Sequence, residues 1–180
     1  LQLAGQHGAQ LRINETVLAL ENEGAAVKIS TDQDVIYADK VIVSAGMWSA
    51  GLLGAPFDAL LRVCRQTLYW FEVSEPERFA TQSPSFILTH GPAFNDVSYG
   101  FPPLPGEGSM KIATEQYEIA CDPLSLDREV SNEQIQTMYR TQVEGRFAGV
   151  SSRALKSSVC AYTVTPDYHF IIDEHPRLNN

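Results

Sequence analysis

Cysteine is scarce in this sequence, and its few positions exclude several kinds of site. Only Cys64, Cys121 and Cys160 occur in 180 residues, and no C-x-x-C pair is present. An odd number of widely spaced cysteines argues against both a disulfide framework and a zinc site. The same usage favours a reducing compartment, so we expect a cytoplasmic protein.

Long apolar runs and an excess of positive charge are also missing. No segment approaches the roughly 18 consecutive apolar residues of a membrane-spanning helix, and no signal peptide is recognisable. Lys and Arg number 13 against 22 Asp and Glu, which gives a net charge of −9 at pH 7. Because nucleic-acid phosphates bind basic surfaces, this balance argues against a nucleic-acid partner, and no membrane partner is expected either.

The remaining composition is that of an ordinary globular protein, 44% hydrophobic and 19% charged. The chain starts at Leu1, within a segment typical of a helix that Gly8 ends, and it stops just after a turn. We therefore interpret the sequence as an internal piece of a longer protein.

Strand patterns dominate the first third of the chain. Alternation of apolar and polar residues predicts strands over residues 9–14, 16–21, 26–30 and 35–38. At residues 40–46 a β-branched run leads into Ala-Gly, which is typical of a buried parallel strand that ends in a tight turn. A short helix is predicted after it, over residues 48–54.

Farther along, the strands become longer and more aromatic. Strands are predicted over residues 60–73, 86–90, 96–102 and 109–114, followed by a helix that Ser131 caps and that runs to about Phe147. Residues 157–176 predict a strand, a turn at Pro166 and Asp167, and a second strand over residues 170–172. These elements indicate an α/β (α+β) protein with a soft boundary near residue 58.

Several short motifs occur in a fixed order. They are YADKVIVSAGMWS at residues 37–49, Arg65-Gln66 before an aromatic strand, YGFP at 99–102, MKI at 110–112, VCAYT at 159–163, Asp167, and HFIIDEHP at 169–176. Each motif alone is weak, but the ordered set resembles the family of monomeric sarcosine oxidase and N-methyltryptophan oxidase. These are FAD-dependent amine oxidases of the D-amino-acid-oxidase superfamily, and the resemblance covers essentially the whole chain.

The resemblance implies three segments. Residues 1–58 match part of an FAD-binding, Rossmann-like domain, residues 59–155 match a mainly antiparallel substrate domain, and residues 156–180 match strands that return toward the first. In this family the G-x-G-x-x-G motif lies upstream of the matching region, and a further glycine-rich flavin contact lies beyond it. We therefore expect this chain alone to be colourless and inactive.

Two residues match the redox machinery of the family. Cys160 resembles the cysteine that bonds covalently to the 8α-methyl carbon of the flavin, and a thiolate is a suitable soft nucleophile. Lys111 resembles the lysine that lies over the flavin and activates dioxygen, where a fixed positive charge favours the negative charge that develops on oxygen. From the residues alone, Cys160 is also explained as a small core side chain and Lys111 as a solvated strand lysine.

The resemblance also implies residues that shape the substrate cavity. Tyr99 and Tyr162 match active-site tyrosines, with strand packing as the alternative. Arg65 matches an arginine of the long aromatic strand, where an ion pair is the ordinary interpretation. Glu115 departs from the family, because sarcosine oxidase carries a histidine at this place. An acid there would change the charge near the amine, so sarcosine itself is in doubt as the substrate.

Four residues near the start of the chain match positions that contact FAD. Ala45, Gly46 and Trp48 lie where the backbone approaches the cofactor, and Val17 lies in the strand that edges the adenine. Glycine suits a close approach because it lacks Cβ. A tight turn between strand and helix is the alternative explanation.

The resemblance implies a function for the longer protein. We expect an FAD-dependent oxidase that oxidises the C–N bond of a small (N-methyl) amino acid such as sarcosine to an imine, with dioxygen reduced to hydrogen peroxide. Its partners would be a small amine or amino-acid substrate and dioxygen. A flavin-dependent amino-acid dehydrogenase and a non-catalytic ligand-binding domain are the alternatives. No metal site is expected, because His169 and His175 have no second ligand at metal spacing.

Overall fold

Strands make up most of the regular structure of the chain, and its helices are short. The computed structural model describes residues 1–79, 83–93 and 96–178. Its contacts divide the chain into a terminal unit, Leu1–Arg62 with Thr165–Asn180, and a central unit, Val63–Val164. The mixed helix-and-sheet fold predicted from the sequence is confirmed, and each unit contains an antiparallel sheet.

The terminal unit is built on a three-stranded antiparallel sheet. Its strands, β1 (Val17–Glu23), β2 (Ala26–Thr31) and β3 (Val35–Ala38), are adjacent in chain order. Gly24 has a φ of +64° in the two-residue turn between β1 and β2, a conformation that favours glycine. Three short helices belong to the same unit, α1 (Gln2–Gln6), α2 (Ser49–Leu53) and α3 (Phe57–Leu60), and a 3₁₀ turn covers Gly46–Trp48.

Two strands predicted near the start of the chain are not formed. Residues 9–14 lack strand structure, because Asn14 has a φ of +58° and Arg12 instead pairs with Glu15 at 2.6 Å and with Asp34 at 2.9 Å. Residues 40–45 also have no regular structure, and the side chain of Ile42 is 94% exposed. A strand needs a hydrogen-bonded neighbour, and within the described residues nothing pairs with this segment.

The central unit is built on a five-stranded sheet in the order β5-β6-β7-β4-β8. Its strands are β4 (Arg62–Val73), β5 (Phe86–Thr89), β6 (Val97–Phe101), β7 (Ser109–Thr114) and β8 (Val150–Val164). The pairs β5–β6, β6–β7 and β7–β4 are antiparallel, and β8 forms the edge beside β4. A 3₁₀ turn at Pro76–Phe79 follows β4.

One face of this sheet packs against helix α4 (Asn132–Met138) to form the hydrophobic core. The buried residues of the core are Tyr69, Phe71, Val73, Met110, Ile112, Met138, Val143 and Val150. In β4 and β7 these residues alternate with less buried ones, as expected for a sheet with one covered face. The odd-numbered residues from Tyr69 to Val73 therefore mark the core face of β4.

Helix α4 differs in length from its prediction. The predicted cap at Ser131 is present, since its hydroxyl accepts from the Gln134 amide and the Gln134 side chain accepts from the Ser131 amide. The α-helix ends at Met138, however, and continues as a π-helical turn over Tyr139–Val143.

The strand predicted from residue 157 starts earlier, at Val150, and the strand predicted over residues 170–172 is not formed. The side chains of Phe170 and Ile172 are 99% and 97% exposed, so within the described residues these two side chains have no surface to pack against, whereas Ile171 is half covered.

Within residues 1–79, 83–93 and 96–178, no helix combines the length and the apolar character needed to cross a bilayer. Over the same ranges, no group of three or more His, Cys, Asp or Glu side chains is arranged to hold a metal ion.

Candidate functional site

The sheet face opposite the core gathers most of the predicted site residues of the central unit. Lys111 pairs directly with Trp70 on one side and with Phe101 on the other. Residues paired across strands point to the same face, and Lys111 lies between the core residues Met110 and Ile112, so its side chain points away from the core. Tyr99, two residues before Phe101 on β6, shares this face, which we call the lysine face.

Lys111 lies in an aromatic setting. Its Nζ is 5.4 Å from the centre of the Trp70 ring and 5.1 Å from that of Phe101. A second ammonium group, from Lys156 on β8, is 4.6 Å from the same Trp70 ring. Such cation–π contacts contribute about 0.5–1 kcal/mol each at accessible sites. Across the described part of the chain, neither lysine forms an ion pair with a carboxylate, so both positive charges remain uncompensated.

Tyr99 and Tyr162 are joined by a hydrogen bond of 2.7 Å between their hydroxyl groups. This contact ties β6 to β8, two strands that are not neighbours in the sheet. Burial raises the pKa of the Tyr99 phenol far above its usual value, and the hydrogen bond to Tyr162 raises it further. Tyr99 therefore remains a neutral hydroxyl at physiological pH, able to donate or accept a hydrogen bond.

Cys160 lies two residues before Tyr162 on β8, so strand alternation places it on the same side as Tyr162. Its thiol is free and partly accessible. Electrostatic interactions with Cys160 and Glu115 add to the raised pKa of Tyr99. Glu115 lies two residues after Ala113, the β7 residue that pairs with Tyr99. Glu115 itself is exposed, directly after the end of β7.

The other two cysteines have different surroundings. Cys64 is fully buried and its thiol donates to the carbonyl of Tyr117 at 3.3 Å. Cys121 is half-buried, and burial raises the pKa of its thiol. Cys64 pairs with Ala120 across an isolated antiparallel bridge, so Cys121 follows one residue later and points to the opposite face from Cys64. These two thiols are therefore not arranged as a disulfide.

The predicted FAD contacts of the N-terminal region lie in the terminal unit. Ala45 precedes the 3₁₀ turn that contains Gly46 and Trp48, and Val17 is the first residue of β1. Gly46 has a φ of +55°, whereas a Cβ built there would meet no atom within 4 Å. The backbone conformation, rather than crowding within the chain, is therefore what requires glycine here. Trp48 is 54% exposed and Val17 is 41% exposed.

Among the described residues, Arg65 has no partner for the ion pair that was its ordinary interpretation. Its guanidinium donates to the carbonyls of Asp127 (3.0 Å) and Glu129 (2.6 Å) and to the Thr67 hydroxyl (2.9 Å). His175 donates from Nε2 to the Leu53 carbonyl (3.2 Å), and His169 is exposed in a turn region.

Sequence reasoning missed Trp70, Phe101 and Lys156 as neighbours of Lys111. The alternation of β6 does place Phe101 on the same face as Tyr99, which is a signal in the sequence. The contacts with Trp70 and Lys156 depend on which strands are neighbours, and no local pattern contains that information.

The lysine face has the chemical features needed beside a flavin ring. Lys111 offers a fixed positive charge without a competing carboxylate among the described residues, and Cys160 offers an accessible thiol. The aromatic rings of Trp70 and Phe101 provide apolar surface, and the Phe101 side chain is 47% exposed. The residues present therefore fit an isoalloxazine ring lying against this face.

Comparisons with known proteins identify the family of the chain. All of residues 1–180 match the family described as DAO, FAD dependent oxidoreductase. The chain is 32% identical over 186 residues to monomeric sarcosine oxidase of Bacillus sp. (strain NS-129), covering 99% of this chain and 46% of that protein. It is 23% identical to N-methyl-L-tryptophan oxidase of Salmonella heidelberg (strain SL476), covering 100% of this chain and 46% of that protein.

Among solved structures, the open form of NikD, an unusual amino acid oxidase essential for nikkomycin biosynthesis, shares the fold. It aligns with a TM-score of 0.69 at 20% identity, over 91% of this chain and 42% of NikD. The chain thus spans a little less than half the length of the relatives it matches. The resemblance drawn from the ordered motifs is confirmed: the chain belongs to the DAO family of FAD-dependent oxidoreductases.

Proposed function

We propose that this chain supplies the oxygen-reacting and substrate-facing part of an FAD-dependent oxidase. The longer protein would oxidise the C–N bond of a small N-methyl amino acid such as sarcosine to an imine. The amine gives up two electrons and two protons, dioxygen takes them up as hydrogen peroxide, and water hydrolyses the imine. The observation that carries the proposal is Lys111, an uncompensated charge between two aromatic rings on the face shared with Tyr99.

FAD, when bound, supplies the two-electron chemistry. The role of Lys111 is electrostatic: its ammonium group favours the negative charge that develops on dioxygen during reduction. The Lys111 ammonium group lies between the rings of Trp70 and Phe101 and has no carboxylate partner in the described ranges, so no ion pair neutralises its charge. Less reorganisation is then needed when oxygen is reduced.

Tyr99 and Tyr162 orient the substrate in this proposal. Their hydroxyl groups form one donor–acceptor pair at 2.7 Å, and the raised pKa of Tyr99 keeps its phenol neutral. A neutral phenol can position an amine or a carboxylate without adding charge to the cavity. Glu115 follows β7, two residues after Ala113, which pairs with Tyr99, and we propose that Glu115 determines which small N-methyl amino acid the longer protein prefers.

Covalent attachment of the flavin through Cys160 is the most specific part of the proposal. Its thiol is free and half-buried, whereas the fully buried Cys64 already donates to a carbonyl. Val17, Ala45, Gly46 and Trp48 are proposed to contact the cofactor through the terminal unit. Acid precipitation of a longer, FAD-binding protein tests the attachment: yellow colour should stay with the pellet and be lost in Cys160→Ala.

The experiment for the oxidase function is Lys111→Met in such a longer protein. Anaerobic mixing with substrate measures flavin reduction, and mixing the reduced protein with dioxygen measures reoxidation. We expect reoxidation to slow by at least about a hundredfold, in the range seen when one electrostatic donor is removed, while flavin reduction changes little. Lys40→Met, on an exposed segment of the terminal unit, is the matched control. Equal slowing of both steps would instead favour a dehydrogenase.

The odd, widely spaced cysteines support a reducing compartment, and we propose the cytoplasm as the location. A small amine or amino acid and dioxygen are the proposed partners.

A further inference from the structure

We infer that Arg128 is a positioning residue for Cys160 and that Arg65 holds Arg128 in place. The inference rests on the proposed function, since it is the flavin attachment that gives Cys160 a chemical role. Two sets of hydrogen bonds carry it. One set joins β4 to the loop before α4, and the other joins that loop to β8.

Arg65 fixes the loop that precedes α4. Arg65 is only 7% exposed, and its guanidinium binds the carbonyl oxygens of Asp127 and Glu129 at 3.0 and 2.6 Å. The Asp127 carboxylate in turn accepts from the Glu129 amide at 2.9 Å. A planar guanidinium with several donors in fixed directions can hold two carbonyls at once, so the backbone on both sides of Arg128 is restrained.

A further hydrogen bond joins this loop to β8. Arg128 Nη1 donates to the carbonyl of Val159 at 3.0 Å. Val159 is 5% exposed and directly precedes Cys160. β8 is an edge strand, so part of its backbone has no neighbouring strand to bind and depends on side chains or water. A charged donor makes a stronger bond to such a carbonyl than a neutral one does.

Cys160 is therefore restrained from both sides. Arg128 holds the residue before it through the backbone, and the hydroxyl bond between Tyr162 and Tyr99 holds the strand two residues after it. A thiol that must meet one carbon atom of a ring needs a defined position, because small displacements of a reacting group lower its rate steeply. The geometry assigns this positioning to Arg128 rather than to the thiol's own contacts.

The test measures the accessibility of the Cys160 thiol in the purified chain, without flavin. Alkylation by iodoacetamide is followed at each cysteine by peptide mass spectrometry. In Arg128→Ala we expect the rate at Cys160 to rise about threefold or more, because local opening governs access to a half-buried group. The rate at Cys121 should not change. Arg128→Lys, which still offers one charged donor, should restore most of the wild-type rate.

The matched control is Arg153→Ala on the same strand. Arg153 pairs with Glu72 at 2.9 Å, far along β8 from Cys160, so its loss should leave the Cys160 rate unchanged. In the wild-type background, Arg65→Lys should raise the alkylation rate at Cys160. Combined with Arg128→Ala it should raise that rate little further, since both substitutions act through one chain of contacts. Equal rates in wild type and Arg128→Ala, or equal acceleration at Cys121, would overturn the inference.

Failure of the positioning role and failure of the attachment give different results. If acid precipitation releases the flavin from the wild-type longer protein, the proposed attachment is wrong whatever the alkylation rates. If the flavin stays bound and Arg128→Ala neither changes alkylation at Cys160 nor lowers the covalently bound fraction, the attachment stands and the positioning role is wrong.

Discussion

Tyr99 offers a test of the lysine face that needs no cofactor. Burial and the bond to Tyr162 raise its pKa above the value of about 10 expected in the unfolded chain. Between these two values the unfolded chain loses a proton that the folded chain keeps. The contribution of Tyr99 to stability is therefore complete below about pH 10 and is lost as the pH rises toward the folded value.

The size of the effect follows from proton linkage. One proton retained only by the folded state lowers the free energy of unfolding by at most about 1.4 kcal/mol per pH unit above pH 10. Burial also raises the pKa of Tyr69, so the wild type has two such tyrosines and Tyr99→Phe should retain only part of the slope. At pH 8 the same variant should lose about 0.5–1.5 kcal/mol, because it lacks the hydroxyl bond to Tyr162.

The assay is urea unfolding at pH 8, 9.5, 10.5 and 11. Performed in a Trp48→Phe background, it leaves Trp70 as the fluorescence reporter of the central unit, since the chain has 2 tryptophans. Tyr37→Phe removes a 60% exposed tyrosine of the terminal unit and should overlay the wild-type profile. If Tyr99→Phe keeps the full decrease of the free energy of unfolding with pH, Tyr99 ionises in the folded protein as it does in the unfolded one, which contradicts the prediction.

Two further predictions concern stability. Phe71→Ala should destabilise the central unit by about 3–5 kcal/mol in urea unfolding, because the Phe71 ring is fully buried between Tyr69 and Tyr139. Glu72→Ala is the control and should cost under about 1 kcal/mol, because it removes only an accessible ion pair with Arg153. Gly46→Ala should lower the free energy of unfolding by about 1–2 kcal/mol because Gly46 has a positive φ. Gly5→Ala in helix α1 is the control and should cause no loss, since alanine favours a helix more than glycine does. Similar losses for both variants would contradict a backbone requirement at Gly46.

The parts of the fold that local patterns specify were predictable. Ser131 and Gln134 lie at capping-box spacing, and the observed helix starts there. The aromatic strand β4 and the strands β5, β6 and β7 lie within a few residues of their predicted positions. Two of the failures, residues 40–45 and 170–172, are apolar segments whose strand structure requires a partner strand. Their sequences favour strands, but the described residues supply no neighbour for either.

The candidate site was predictable only in part, for a similar reason. Alternation along one strand relates Cys160 to Tyr162, and Tyr99 to Phe101. The family resemblance supplied the proposed roles of these residues and of Lys111. Neither source could place Trp70 beside Lys111 or Arg128 beside Val159, since both contacts join segments that are distant in sequence.

The position of Lys111 depends on the register between β4 and β7. A slip of one residue would turn Lys111 into the core and Ile112 toward the rings of Trp70 and Phe101. Just beyond the last paired residues, the Gln116 amide donates to the side chain of Gln66 at 3.1 Å, and the Gln66 side chain donates back to the Gln116 carbonyl.

The Gln116 side chain closes the same network on Thr67, accepting from its amide at 3.2 Å and donating to its carbonyl at 3.1 Å. Gln66 is fully buried, so a shifted register would leave its amide group without partners at a cost of about 1–3 kcal/mol. This penalty adds to that of burying the Lys111 ammonium in the core. The pair of glutamines thus fixes the alignment that keeps the lysine charge on the face shared with Tyr99.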